Sequence, residues 1–256
     1  MGLEAGRRSN RVAEITDAEW RVRVDLAACY RLTWQNGWDD LIYTHISARV
    51  PGEKDEFLIN PFGLGFDEIT ASNLVKIDLA GNIIGDSPYG VNATGFAIHG
   101  AVHSARPDAH CVMHLHTSAG ISLSMLECGL LPLSQHAMRF YRNIGYHAYE
   151  GLALNEAECA RLITDLGPHK AMILRNHGTL TCGATVAEAY TLMFTLEKAC
   201  VMQLKAMAAS GDLVVPPTDV LERTLEQLLD DTVPEGEREW PALLRRLERQ
   251  DSSFKT

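Results

Sequence analysis

At 256 residues the chain is long enough to bury a full core as one large domain. A formal net charge of −10 excludes a nucleic-acid or anionic-membrane partner held by charge, because phosphate contacts need a basic surface. No apolar stretch approaches the roughly 20 residues needed to span a bilayer. The N-terminus has no apolar segment of the secretory kind, and six cysteines stand without CxxC spacing. Together these features predict a cytoplasmic protein with reduced thiols.

In chain order, residues 1–15 read as a flexible leader. Thr16-Asp17-Ala18-Glu19 reads as a capping box in which Thr16 and Glu19 satisfy each other's backbone donors. It opens an amphipathic helix to about Gln35, with Leu26, Cys29, Tyr30 and Thr33 on one face and Gly37 as its stop. Three β-like runs follow at 41–50, 56–60 and 74–79. Asn92 or Thr94 caps a second helix that ends near Arg106, ahead of Pro107. Residues 111–116 form a short strand, and Thr117 or Ser118 caps the helix after it. Asn155 with Glu158 starts a helix to about Leu166. Residues 170–174 and 179–182 read as strands on either side of Asn176-His177-Gly178. Thr185 with Glu188 opens the longest helix, to about Ser210. Past Gly211 two short amphipathic helices fit, near 219–229 and 242–249. The chain thus divides into the leader, a domain over 16–210, and a helical tail over 211–256 that packs on the domain or on a neighbouring subunit. Alternating strands and helices predict a layered α/β fold.

The chemistry concentrates in histidines. In His114-Leu115-His116 the imidazoles are two apart on a strand, so both project from one face. With ten histidines in the chain, chance alone supplies about 0.4 such pairs, and the pair is weak by itself. His177 adds a third imidazole in a turn between strands, where Gly178 permits a tight bend. Three histidines with an open coordination position describe a catalytic metal centre rather than a structural one.

Three segments carry a family resemblance: VNATGFAIHGAVHSARPDAHCVMHLHTSAG (91–120), CGLLPLS (128–134) and ILRNHGTL (173–180). From about Leu41 to Met207 the chain resembles the class II aldolase and adducin-head superfamily. LIYTHIS (41–47), FLINPFGL (57–64) and EITASNLVKID (68–78) resemble its adducin-like branch. The resemblance implies a three-layer α/β/α fold with a central, mainly antiparallel sheet. It also implies a homotetramer with active sites between subunits. By the same resemblance His114, His116 and His177 correspond to ligands of one divalent metal, zinc first, with iron or manganese as alternatives.

The chain also departs from that pattern. The sugar-phosphate aldolases of the superfamily carry a glutamate at the start of the helix before His-x-His, and Gly95 stands there. Their phosphate nest corresponds to Thr44-His45, Phe62-Gly63 and Ala93-Thr94. Gly63 and Thr94 suit that role, whereas His45, Phe62 and Ala93 do not. His45, Phe62, Gly63 and Thr94 therefore remain as lining for a small non-phosphorylated substrate. Two histidines are candidates for the lost base. His136 aligns approximately with a tyrosine that donates a proton across the subunit interface, and His99 lies one turn after Gly95.

Three functions follow from this reading. The first is an aldolase-type lyase cleaving a C–C bond in a small hydroxy-carbonyl or keto acid. The second is an iron-dependent oxygenase or decarboxylase of an aromatic keto or hydroxy acid. The third is a non-enzymatic, adducin-like interaction module.

Overall fold

The computed structural model describes residues 15–151, 156–209, 211–230 and 233–256; the side chains of residues 93–95 and 156 are outside that description. The leader at 1–14, Asn155 and Ser210, all named in the sequence reading, also lie outside it. Thr16 caps α1 (Asp17–Gln35) by accepting from the Glu19 backbone N–H. The reciprocal half of the capping box is absent. The Glu19 carboxylate is buried instead with Arg23 and Lys76 at 2.8 and 2.7 Å, since two cations compete better for it than one backbone N–H.

β1 (His45–Arg49) is shorter than the run that encodes it. Leu41 and Thr44 take left-handed conformations (φ 55° and 66°), which forces a tight turn rather than an extended strand. β2 (Glu56–Ile59), β3 (Val75–Asp78) and α2 (Ala93–Ala105) follow. Next come β4 (Cys111–Leu115) and α3 (Ser118–Ser124), the latter capped by the Thr117 hydroxyl. α4 (Gln135–Met138) and β5 (Gly145–His147) are too short to show a period in sequence. α5 (Glu156–Leu166), β6 (Ala171–Leu174), β7 (Gly178–Gly183) and α6 (Val186–Ala208) complete the central part. Thr185 caps α6, while Glu188 turns to Lys170 and to the Ala184 N–H. Two further helices, α7 (Thr218–Leu229) and α8 (Trp240–Gln250), end the fold.

The strands form one seven-stranded sheet in the order β3-β2-β1-β4-β7-β6-β5. Every pairing is antiparallel except the parallel β5–β6 pair. Strict alternation along β4 supplies both faces. Cys111, Met113 and Leu115 join Leu26, Tyr30, Tyr190 and Met193 of α1 and α6. Val112 joins Ile98 and Val102 of α2 and Leu162 and Leu166 of α5. Helices thus cover both sheet faces, giving the three α/β/α layers. The tail is built into the first of these cores through Trp240, Leu247 and Phe254. Among the described residues no helix is long and apolar enough to cross a membrane.

Candidate metal centre

β4 is the middle strand of the sheet, with β1 on one side and β7 on the other. His114 pairs with His45 of β1 and Leu180 of β7, and its side chain shares the α2 face with Val112. His116 follows immediately after the strand ends. His177 is placed by the turn into β7. Asn176 takes φ 57°, a left-handed conformation that asparagine tolerates better than most residues. At Gly178 a Cβ would stand 2.4 Å from the Leu115 carbonyl oxygen, so no side chain fits there. The turn therefore seats His177 directly against the end of β4.

The structure brings all three histidines together. Their ligand atoms lie within 4.8 Å of one another, the only such cluster among the described residues. Each pair of ring centroids is 4.8 Å apart. Hydrogen bonds fix two of the tautomers. His114 Nδ1 lies 3.0 Å from the Thr179 carbonyl oxygen and His116 Nδ1 lies 3.0 Å from Asp40 Oδ2. In the neutral rings, the form in which imidazoles ligate a metal, each Nδ1–H donates to its oxygen and each Nε2 keeps its lone pair. The two Nε2 atoms then face each other at 3.0 Å, lone pair against lone pair. A shared cation resolves that repulsion, and an acceptor behind each imidazole is the usual support of a metal ligand. Burial, followed by His177 and His116, holds His114 well below the ordinary imidazole range. Burial, followed by His116 and His147, lowers His177 to about 4. Both are therefore neutral, as ligands must be, at neutral pH. The donor set fits one divalent metal ion.

The other sequence candidates lie at varying distance from this cluster. His45 and His99 are buried on the same sheet face, their ring centroids 6.1 Å apart. Phe62 is exposed, and Gly63 takes φ 104° in an open turn. Gly95 lies in the first turn of α2. The Thr94 side chain falls outside the described residues. His136 lies apart within this chain. It is on α4 and lines a cavity of about 680 Å³ with Arg139, Lys170 and Glu188, whose lining includes none of the three histidines. Sequence reading missed Asp40 and Tyr149. Asp40 sits in a turn with no periodic signal, and the Tyr149 ring is 6.3 Å from that of His177. It also missed His147, which bonds Asp165 at 2.8 Å through Nδ1. A lone histidine on a three-residue strand gives no motif.

Comparison with known proteins agrees with this architecture. The family described as Class II Aldolase and Adducin N-terminal domain matches residues 24–204. A Pseudomonas aeruginosa protein, provisionally named an aldolase class 2 protein, is 50% identical over 247 residues, 95% of each chain. Mouse alpha-adducin is 46% identical over 193 residues, 74% of this chain and 26% of the adducin. The solved L-fuculose 1-phosphate aldolase of Glaciozyma antarctica superposes with a TM-score of 0.84 at 28% identity, covering 97% of each chain. The layered fold, the histidine cluster on its central strands and these likenesses make the chain a member of the class II aldolase and adducin N-terminal domain family.

Proposed function

We propose that the protein is a divalent-metal-dependent lyase that breaks a C–C bond in a small, non-phosphorylated hydroxy-carbonyl or keto acid. The observation that carries this reading is the convergence of the His114 and His116 Nε2 lone pairs, 3.0 Å apart, beside His177. The likeness to an L-fuculose 1-phosphate aldolase over 97% of both chains supports the reaction class. His114, His116 and His177 hold the ion, with zinc first and manganese or iron as alternatives. When bound, the ion supplies a Lewis acid for negative charge that develops on substrate oxygen.

The remaining chemistry falls to the chain's own side chains. Gly95 offers no carboxylate, so a histidine moves the proton. Positioned acid–base groups typically contribute about 10²–10⁴-fold. His136 serves in this role from a neighbouring subunit of a homotetramer, or His99 does so from the same chain. His45, Phe62, Gly63 and Thr94 line the substrate side. Phe62, exposed as an aromatic wall, favours an uncharged or aromatic substituent over a phosphate.

The test begins with metal content of protein purified without added ions. It continues with a screen for aldehyde or pyruvate release from hydroxy-keto acids. Turnover that falls by at least about 100-fold in His136→Ala, with metal content unchanged, supports His136 as the proton donor. Gly95 also favours a second reading, an iron-dependent oxygenase or decarboxylase, because oxygen chemistry needs no protein base at that position. Turnover that stops under anaerobic conditions selects it over the lyase. Likeness to alpha-adducin supports a third reading, an interaction module. Protein that carries no metal and shows no turnover in either screen selects that one.

A further inference from the structure

A second file of buried polar side chains runs along the sheet face beneath α2, next to the three histidines. His45 and Ser47 come from β1, and His99 and His103 from α2; all four are at most 4% exposed. Ser47 Oγ lies 2.7 Å from His99 Nδ1 and 2.8 Å from His103 Nε2. His103 Nδ1 lies 2.9 Å from the Ala109 carbonyl oxygen, which only accepts. The direction of each proton from Ala109 to His99 follows from that end. His103 donates from Nδ1 to Ala109, so its Nε2 is an acceptor and takes the Ser47 hydroxyl proton. Ser47 Oγ, its one proton committed, accepts from His99 Nδ1–H. His99 is left with a bare Nε2 lone pair. That atom is fully buried and has no partner among the described residues, and His45 Nε2 is likewise buried without one among them. The two rings stand edge to face with centroids 6.1 Å apart, and His45 pairs directly with His114 across the strands. A buried polar atom left unpaired costs about 1–3 kcal/mol, and a core histidine placed only for packing gains nothing by paying it twice over on adjacent rings.

We propose that Ser47 and His103 are positioning residues that lock His99 as an Nδ1–H tautomer, and that a subsite for a substrate hydroxyl lies beside the metal centre, where His99 Nε2 accepts the hydroxyl proton and His45 Nε2–H donates to the hydroxyl oxygen. The inference rests on the metal-centre reading above and deepens it. The substrate carries a hydroxyl next to the oxygens that meet the ion, and the hydroxyl proton points at His99. A substrate with a methylene at that position leaves both nitrogens unsatisfied and is discriminated against.

Two measurements on the full-length, zinc-loaded protein test this. Side-chain ¹⁵N NMR of histidine-labelled protein is expected to show His99 as the Nδ1–H tautomer, and Ser47→Ala to lose that preference. An Nε2–H tautomer in the wild type overturns the proposal. The second compares acetohydroxamate with glycolohydroxamate, two metal chelators that differ by one hydroxyl. Glycolohydroxamate is expected to bind about tenfold tighter to the wild type, the worth of one hydrogen bond to a buried acceptor. The preference should vanish in His99→Phe and shrink in Ser47→Ala, while acetohydroxamate affinity holds. Ser47→Ala, which removes a single oxygen, carries the test if His99→Phe fails to fold. Equal binding of the two hydroxamates to the wild type, or a preference that survives both substitutions, overturns the subsite. Failure of the metal reading looks different: the wild type holds no zinc and neither chelator binds, while the His99 tautomer still decides the relay.

Discussion

The Cβ that Gly178 lacks would stand 2.4 Å from the carbonyl oxygen of Leu115, the residue between His114 and His116. The obstacle is backbone, held by the Leu115–Thr179 pairing of β4 and β7, so it has nowhere to go. Gly178→Ala is expected to push the His177 turn away from the end of β4. Metal affinity should fall at least about tenfold, and stability by about 1–3 kcal/mol. Gly90→Ala, where the Cβ meets nothing within 4 Å, is the control. Metal titration and urea unfolding of both variants check the expectation, and matching behaviour would contradict it.

Near-stoichiometric metal is expected to co-purify, and His116→Ala or His177→Ala to lose most of it with the fold kept. The two imidazoles sit at element ends, where they matter more to the ion than to the core. Asp40→Asn keeps all three proposed ligands but weakens the acceptor behind His116. It should lower affinity about 10–100-fold, read by competition with a chromogenic chelator. Wild-type metal content in both alanine variants would sink the metal-centre reading.

Burial lowers the His103 imidazole to about 3 from an ordinary 6.5. Below pH 6.5 the unfolded chain takes up a proton there that the folded chain refuses until about pH 3. Stability is therefore complete above pH 6.5 and falls as the pH drops through that window. One such group contributes a slope of up to about 1.4 kcal/mol per pH unit. Urea unfolding between about pH 5 and pH 7 should give a shallower pH dependence in His103→Gln, the difference growing to about one proton at the acid end. Identical slopes would mean that His103 is not held neutral in the fold.

Sugar phosphates should bind poorly, because Phe62 stands where a hydroxyl donor is expected and the chain carries a net charge of −10. Calorimetry against ketose and aldose phosphates should show nothing tighter than about the millimolar range, near −4 kcal/mol. Micromolar binding of any of them would reverse the substrate class.

Local rules with one dominant partner were readable from sequence. Thr16, Thr117 and Thr185 each cap a helix, as their spacing predicts. The two-residue period that aligns His114 with His116 is a property of any strand. What escaped depends on competition or distance. Glu19 has the spacing to bond the Thr16 backbone, but Arg23 and Lys76 reach it in the folded state. Asp40 comes to His116 through a turn made by left-handed Leu41 and Thr44, conformations that neither residue type advertises. The Ser47 bridge joins residues 52 and 56 positions away. No periodicity in either element reveals that one serine lies between two particular histidines.

The cladding of α1 by the tail has a bearing on when this fold can form. Trp240, Leu247 and Phe254 share a core with Leu26, Tyr30 and Met113. Trp240 Nε1 donates to Asp25 at 2.8 Å, and the Phe254 carbonyl accepts from the Ala71 N–H at 2.9 Å. The core that backs the central strand thus joins residues 215 positions apart in the chain. Its closure has to wait until residue 254 has cleared the ribosome. Until then α1 carries an open apolar face, and a nascent chain arrested before Trp240 should be held by chaperones rather than released as a folded domain.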